Sequence, residues 1–249
     1  MSNEWDFYRL RVDHQPASIM VDLGIRSSVP LQSYIYMGYL RTHMNSPQPN
    51  GLSSQEEFDN LCEIGDAIDH EIETSDGRHL YVGRNTSSNN RDFYFYTSDL
   101  QNLKQVLHAI TQKFPDYQFE QGGREDLEWS TYLNFLYPNP SQLQQIMDRR
   151  VCEQLEAQGD DLSIERPIDH RVYFSDKSQM KIFQSYLHEK KYIDIQTGKT
   201  KLINGKHFID FKHIGAPQHI YDIVYDLFYK SDKLEGLYDG WGCSVMKPN

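Results

Sequence analysis

The chain is predicted to be an α+β protein of two domains, each a two-layer sandwich of mainly antiparallel sheet and helices. Three observations point there. At 249 residues the chain exceeds the usual size of one compact domain. Runs that alternate apolar and polar residues are interspersed with runs whose apolar residues recur every three or four positions. Tyr137-Pro-Asn-Pro140 interrupts both patterns, because each proline restricts itself and the residue before it. The expected domains are therefore residues 1–138 and 139–249.

In the first domain, Glu4–Val12 and Ala17–Leu23 alternate around Asp13-His-Gln-Pro16 and read as a hairpin. A third strand is expected over Tyr34–Arg41. Ser53 and Ser54 precede Glu56 and Glu57 as in a capping box, so a helix is expected from there to Glu73. Strands over Leu80–Asn85 and Asp92–Thr97 come next, then a helix over Asp99–Lys113 and a strand over Gln118–Gly122. That helix presents Leu100, Leu103, Leu107, Ile110 and Phe114 on one face, and Pro115 stops it.

The second domain opens with a helix over Ser141–Ala157, in which Leu143, Met147, Val151 and Leu155 recur every four residues and Gly159 ends the run. The order then becomes strand, helix, strand, strand, helix, strand: Ile168–Phe174, Lys177–Glu189, Tyr192–Gln196, His207–His213, Gln218–Phe228 and Leu234–Val245. This is the split βαβ order of a ferredoxin-like sandwich. Ile220, Ile223, Val224, Leu227 and Phe228 form the core stripe of the last helix.

Composition narrows the function classes. No stretch approaches the ~20 apolar residues that span a bilayer, and the first residues are acidic where a secretory signal is basic and then apolar, so a soluble cytoplasmic protein is expected. Cys62, Cys152 and Cys243 are odd in number, widely spaced and without a Cys-x-x-Cys pair, which predicts buried reduced thiols and neither a disulfide framework nor a zinc ribbon; no cofactor is expected. Residues 1–138 carry 10 basic and 20 acidic side chains, and residues 139–249 carry 15 and 16. Phosphate contacts need Lys and Arg, so direct nucleic-acid binding by the acidic half is disfavoured and a basic protein partner is compatible.

Two segments carry a family signature. Tyr238-Asp-Gly-Trp-Gly-Cys-Ser-Val245 places two glycines around one tryptophan, and Arg166-Pro-Ile-Asp-His-Arg-Val-Tyr-Phe174 lies about seventy positions earlier. With Gly159-Asp-Asp-Leu-Ser163 they resemble the family called regulator of ribonuclease activity B. The resemblance implies a bacterial, non-catalytic protein that binds an endoribonuclease of the E type and alters RNA processing. The segments Gln15-Pro-Ala-Ser-Ile-Met-Val-Asp-Leu-Gly24, Asn50-Gly-Leu-Ser-Ser54, Tyr81-Val-Gly-Arg84, Arg91-Asp-Phe-Tyr-Phe-Tyr96, Glu125-Asp-Leu-Glu-Trp-Ser-Thr-Tyr132 and Phe135-Leu-Tyr-Pro138 resemble a bacterial domain family of unknown function often fused to it. That second family implies no activity.

On residues alone, the motif positions Asp169, His170, Asp239, Gly240, Trp241 and Gly242 read as structural. Asp-Gly is a turn signal, Trp241 is a core or interface anchor, and adjacent strand residues point to opposite faces, so Asp169 and His170 are no acid/base pair. Ser53–Asp76 holds nine acidic residues and no Lys or Arg. On a helical wheel Phe58, Leu61, Cys62, Gly65, Ile68 and Ile72 share an arc of about 120°, while Glu56, Asp59, Glu63, Asp66 and Glu73 share another of about 100°. The second arc is either a solvated face or a docking face for a basic partner. Asp69 falls among the apolar positions, which an isolated helix does not explain. Glu63, Asp66, His70 and Glu73 at spacings of three and four leave a metal-dependent hydrolase as an alternative. A small-molecule module between the domains and a scaffold unrelated to RNA are the others.

Overall fold

The computed structural model of the chain describes residues 2, 4–12, 14–75, 77–200 and 206–247. Asp13 of the expected hairpin turn and Asp76 of the acidic segment lie outside them. The chain forms two compact units, Met1–Asn139 and Pro140–Asn249.

The first unit is a six-stranded antiparallel sheet with two helices. Its strands are β1 (Trp5–Val12), β2 (Gln15–Asp22), β3 (Tyr36–His43), β4 (His79–Ser87), β5 (Asn90–Thr97) and β6 (Gln118–Glu125), in the spatial order β1-β2-β4-β5-β3-β6. Helices α1 (Gln55–Glu73) and α2 (Leu100–Thr111) bury Leu61, Ile64, Ile68, Ile72, Leu103, Leu107 and Ile110 against Leu40, Tyr81, Phe93 and Phe95 of the sheet. Ser54 caps α1 by accepting from the Glu57 N–H at 3.2 Å. The expected reciprocal half of the capping box is absent. Glu57 is instead buried, and its two carboxylate oxygens accept from the Asn45 and Ser46 N–H groups, which clamps the loop before the helix.

Two positions of the apolar arc differ from expectation. Phe58 is 44% exposed, and Ile64 takes its place in the core. Asp69 is half-buried, and burial raises its carboxyl to about 6 against the opposing pull of the Arg84 guanidinium. The segment from Asp126 to Leu136, for which no element is expected from sequence, forms a turn followed by a short π-helical stretch over Tyr132–Leu136. Trp129 stacks on Tyr96 with ring centroids 3.8 Å apart and donates its indole N–H to the Tyr34 carbonyl, and the Tyr132 hydroxyl donates to the Asp22 carbonyl. Asp126 accepts from the Tyr96 hydroxyl and from the Ser130 and Thr131 N–H groups, so the buried carboxylate is satisfied beside the buried rings.

The second unit is a four-stranded antiparallel sheet with three helices, α3 (Pro140–Ala157), α4 (Lys177–Glu189) and α5 (Ile220–Asp232). Its strands β7 (Arg166–Phe174), β8 (Ile193–Lys199), β9 (His207–Gly215) and β10 (Gly236–Gly242) lie in the order β10-β7-β9-β8. That is the fourth, first, third and second strand of the βαββαβ run, the ferredoxin-like arrangement the element order predicts. Strand alternation sends Ile168, His170, Val172 and Phe174 inward, and these pack, with Ile209 and Phe211 of β9, against Met180, Phe183 and Leu187 of α4 and Val224 and Leu227 of α5.

Helix α3 departs from its apolar stripe. Met147 is 54% exposed and Leu143 and Val151 are half-buried, whereas Gln144, Ile146, Asp148 and Leu155 are buried. Asp160 anchors the loop after α3. Its Oδ1 lies 2.5 Å from Arg166 Nη2, and its Oδ2 accepts from the Met246 N–H. Arg166 also donates from Nε to Cys243 Sγ at 3.3 Å. The three cysteines are free and half-buried, less enclosed than expected.

Candidate partner-binding cleft

The two motif segments of the C-terminal unit, distant in sequence, are neighbours in the sheet. Strand β10 pairs with β7 so that Gly240 lies opposite Arg171, Trp241 opposite His170 and Gly242 opposite Asp169, with a bulge between Tyr238 and Gly240. All six singled-out motif residues, Asp169, His170, Asp239, Gly240, Trp241 and Gly242, line one cleft of about 520 Å³. Gln144, Met147, Asp148 and Val151 of α3 line it as well.

Asp169 and His170 point to opposite faces. Asp169 is exposed, 3.5 Å from Lys212 Nζ, which also lies 3.6 Å from Asp194. Arg171 on the same face forms a two-pronged pair with Asp210 at 2.6 and 2.7 Å. His170 is buried, with Nδ1 2.7 Å from the Tyr238 hydroxyl and Nε2 2.8 Å from His213 Nδ1, and its ring stacks on Phe211. Burial, with the neighbouring His213 adding to it, lowers His170 to about 3, and burial lowers His213 too. Both imidazoles are neutral near pH 7, and His170 is too weak a base there for proton abstraction.

Gly240 has φ +132°, a backbone conformation that glycine tolerates, and the bulge requires it. Gly242 has no such need, since a Cβ added there would meet nothing within 4 Å. Glycine without crowding or positive φ leaves the strand backbone open to an incoming chain. Trp241 is half-buried against the core and donates its indole N–H to Asp148 Oδ1 at 2.9 Å. Asp148 itself is 2% exposed, also accepts from Gln144 Nε2, and is raised to about 6 by burial. Five carboxylates (Asp148, Asp169, Asp194, Asp210, Asp239) and two cations (Arg171, Lys212) line the cleft, so a nearly neutral half of the chain carries a locally acidic site.

The family model described as a family of unknown function (DUF695) matches residues 3–137. The chain belongs to that family. A second model, regulator of ribonuclease activity B, matches residues 145–243, so the DUF695 unit is followed by a regulator-type domain that holds every cleft-lining residue except Gln144. No curated protein matches the chain. A crystal structure of an unknown protein from Galdieria sulphuraria aligns over 83% of this chain and 96% of that chain, at 8% identity and a TM-score of 0.23, too low to bear on the fold.

The acidic face of the DUF695 unit is as drawn from sequence: Glu56, Asp59, Glu63, Asp66 and Glu73 are all exposed along α1, and His70 with them. Among the described residues no group of three or more His, Cys, Asp or Glu is placed to hold a metal ion, so the helix does not gather Glu63, Asp66, His70 and Glu73 into a ligand set. No helix among the described residues is long and apolar enough to cross a membrane. The buried carboxylate of Asp148 and the pairing of His170 with His213 went unread in the sequence. The only trace was a polar Gln144 and Asp148, four residues apart, beside the apolar stripe of α3.

Proposed function

We propose that the regulator domain is a cytoplasmic, non-catalytic protein-binding module that modulates an endoribonuclease of the E type by docking a basic segment in the β7–β10 cleft. The observation that carries this reading is the convergence of Asp169 and Asp239–Gly242 on one acidic, glycine-floored opening. The chemistry agrees: the motif histidine is locked in a neutral hydrogen-bonded chain, and the motif aspartates face solvent, an arrangement for recognition and not for turnover. Affinity capture from a bacterial lysate with the full chain tests it. Wild type is expected to retain an endoribonuclease, and the pair Asp239→Lys and Gly242→Val to release it, since a charge reversal and a branched side chain are placed where the partner backbone approaches. Equal recovery by both proteins overturns the reading.

The exposed carboxylates of α1 support a second, longer-range role in steering the same basic partner. Exposed charges are screened within ~8 to 10 Å at physiological salt, so this contribution acts on association and fades as ionic strength rises. Replacing Glu56, Asp59 and Glu63 together by Lys is expected to slow association at low salt by about tenfold with the fold intact, because all three side chains are solvent-exposed. An unchanged rate returns the helix to a solvated face.

A further inference from the structure

We propose that the groove between α3 and α5 is a slot for one arginine side chain from a basic segment of a partner protein, with Asp148 as its counter-ion and Tyr221 and Tyr225 as its walls. The groove holds about 120 Å³ and is lined from α3 by Ser141, Gln144, Gln145 and Asp148 and from α5 by Tyr221, Asp222 and Tyr225, among others. It is small enough to admit a single guanidinium and its last methylenes. Its charge is one-sided: Asp148 and Asp222 line it, and no Lys or Arg does. Arg149, whose charge is felt at Tyr221, is engaged with Glu153 at 3.2 Å.

Three independent features select the occupant. First, the Asp148 carboxylate is buried with only neutral donors, Gln144 and Trp241, on it. A buried carboxylate held by neutral groups gains most from a cation that completes the site. Second, Tyr221, Tyr225 and Tyr229 recur every four residues along α5 and are 43%, 58% and 51% exposed. Three large rings on one helix face are the composition of an interface and not of a solvated surface. Third, one ring of this stripe, Tyr229 just beyond the groove, already carries a cation on its face, with Lys233 Nζ 4.2 Å from its centroid. Arginine fits better than lysine: its planar, weakly hydrated guanidinium stacks on tyrosine while its N–H groups reach a carboxylate. Asp148 and Gln144 also line the β7–β10 cleft, so the two sites share a carboxylate, and the α5 residues Tyr221 and Tyr225, which line the slot but not the cleft, tell them apart.

The test uses the full chain, ¹⁵N-labelled, titrated with capped Gly-Arg-Gly and with its citrulline and lysine counterparts. The Trp241 indole N–H, hydrogen-bonded to Asp148, is the reporter. The arginine peptide is expected to move that resonance and the amides around Tyr221 and Tyr225, the lysine peptide to bind several-fold more weakly, and the citrulline peptide to leave them in place. Asp148→Asn is expected to weaken the arginine peptide by about tenfold, and Tyr225→Ala, an exposed position outside the core, by a few-fold. Equal response to citrulline, affinity unchanged in both variants, no shift up to roughly tens of millimolar peptide, or shifts confined to Asp169 and Asp239 would each overturn the slot.

Discussion

Arg166→Ala is expected to destabilise the regulator domain by about 3 to 5 kcal/mol, the usual consequence of stripping one member from a buried ion pair. The side chains of Arg166 and Asp160 are 1% and 0% exposed, and their N–O distance is 2.5 Å. Without the guanidinium, Asp160 holds an uncompensated buried charge, the Asp161 and Ile164 carbonyls lose a donor, and Cys243 loses its partner. Peptide-resolved hydrogen exchange in increasing urea separates this domain from the DUF695 unit, and protection should fall across β7 and β10 but not in β1–β6. Arg166→Met combined with Asp160→Leu should recover much of the loss, because removing both charges also removes their desolvation. A loss below about 1 kcal/mol in the single variant would show that the pair contributes no more than a surface bridge.

Asp148→Asn is expected to act in the opposite direction, and only above a certain pH. The carboxyl rises from 3.8 to about 6 on folding, so the folded chain keeps a proton that the unfolded chain gives up between these values. Stability from this group is therefore full below about pH 4 and is lost as pH rises through 6. The deficit at pH 8 is on the order of 2 to 3 kcal/mol. Asparagine retains an oxygen to accept from Gln144 and Trp241 while carrying no charge, so the variant should be more stable than wild type at pH 8 by roughly that amount and equal to it near pH 4. His170 supplies the contrary slope in both proteins: its folded value of about 3 lies below the ordinary 6.5, so its contribution is present above 6.5 and is lost as pH falls towards 3. Denaturant midpoints at pH 4, 6 and 8 check the pattern, and a variant that is destabilised at every pH would contradict it.

The order of elements was legible because each signal is local. Period-two alternation marked the strands, and the βαββαβ order alone gave the 4-1-3-2 sheet of the regulator domain. Side-chain partners across elements were not legible. Helix α3 was misread at Met147 because an apolar repeat says nothing about a helix that buries Gln144 and Asp148 against a tryptophan ninety residues on. Glu57 looked like a cap and proved to be a loop clamp, a choice made by the backbone of Asn45 and Ser46. Trp129 and Tyr132 lie at a turn and at the start of a five-residue π-helical stretch, too short for a repeat to betray their burial. The cleft was half visible: its residues were named as motifs, but the acidity of the opening was concealed by the near-neutral net charge of the surrounding half.

The hydrogen-bonded run Tyr238–His170–His213 carries its protons in one of two senses, and the whole run shares it. Among the described residues His213 Nε2 is buried with no hydrogen-bond partner, beside Gly215, where even one added carbon would lie 2.8 Å away. With its proton on Nε2, His213 would strand an N–H; with its proton on Nδ1, the run leaves the buried Tyr238 hydroxyl without His170 as its acceptor. In the second sense His213 donates to His170 Nε2 and His170 donates from Nδ1 to the Tyr238 oxygen; in the first sense both bonds run the other way. The two imidazoles share one tautomer, each imposing it on the next, so a change at one end of the run reverses or breaks it at the other. Strand β10, which carries the tyrosine and, three residues later, the tryptophan of the cleft, thus reads the tautomeric state of β9 across the intervening strand.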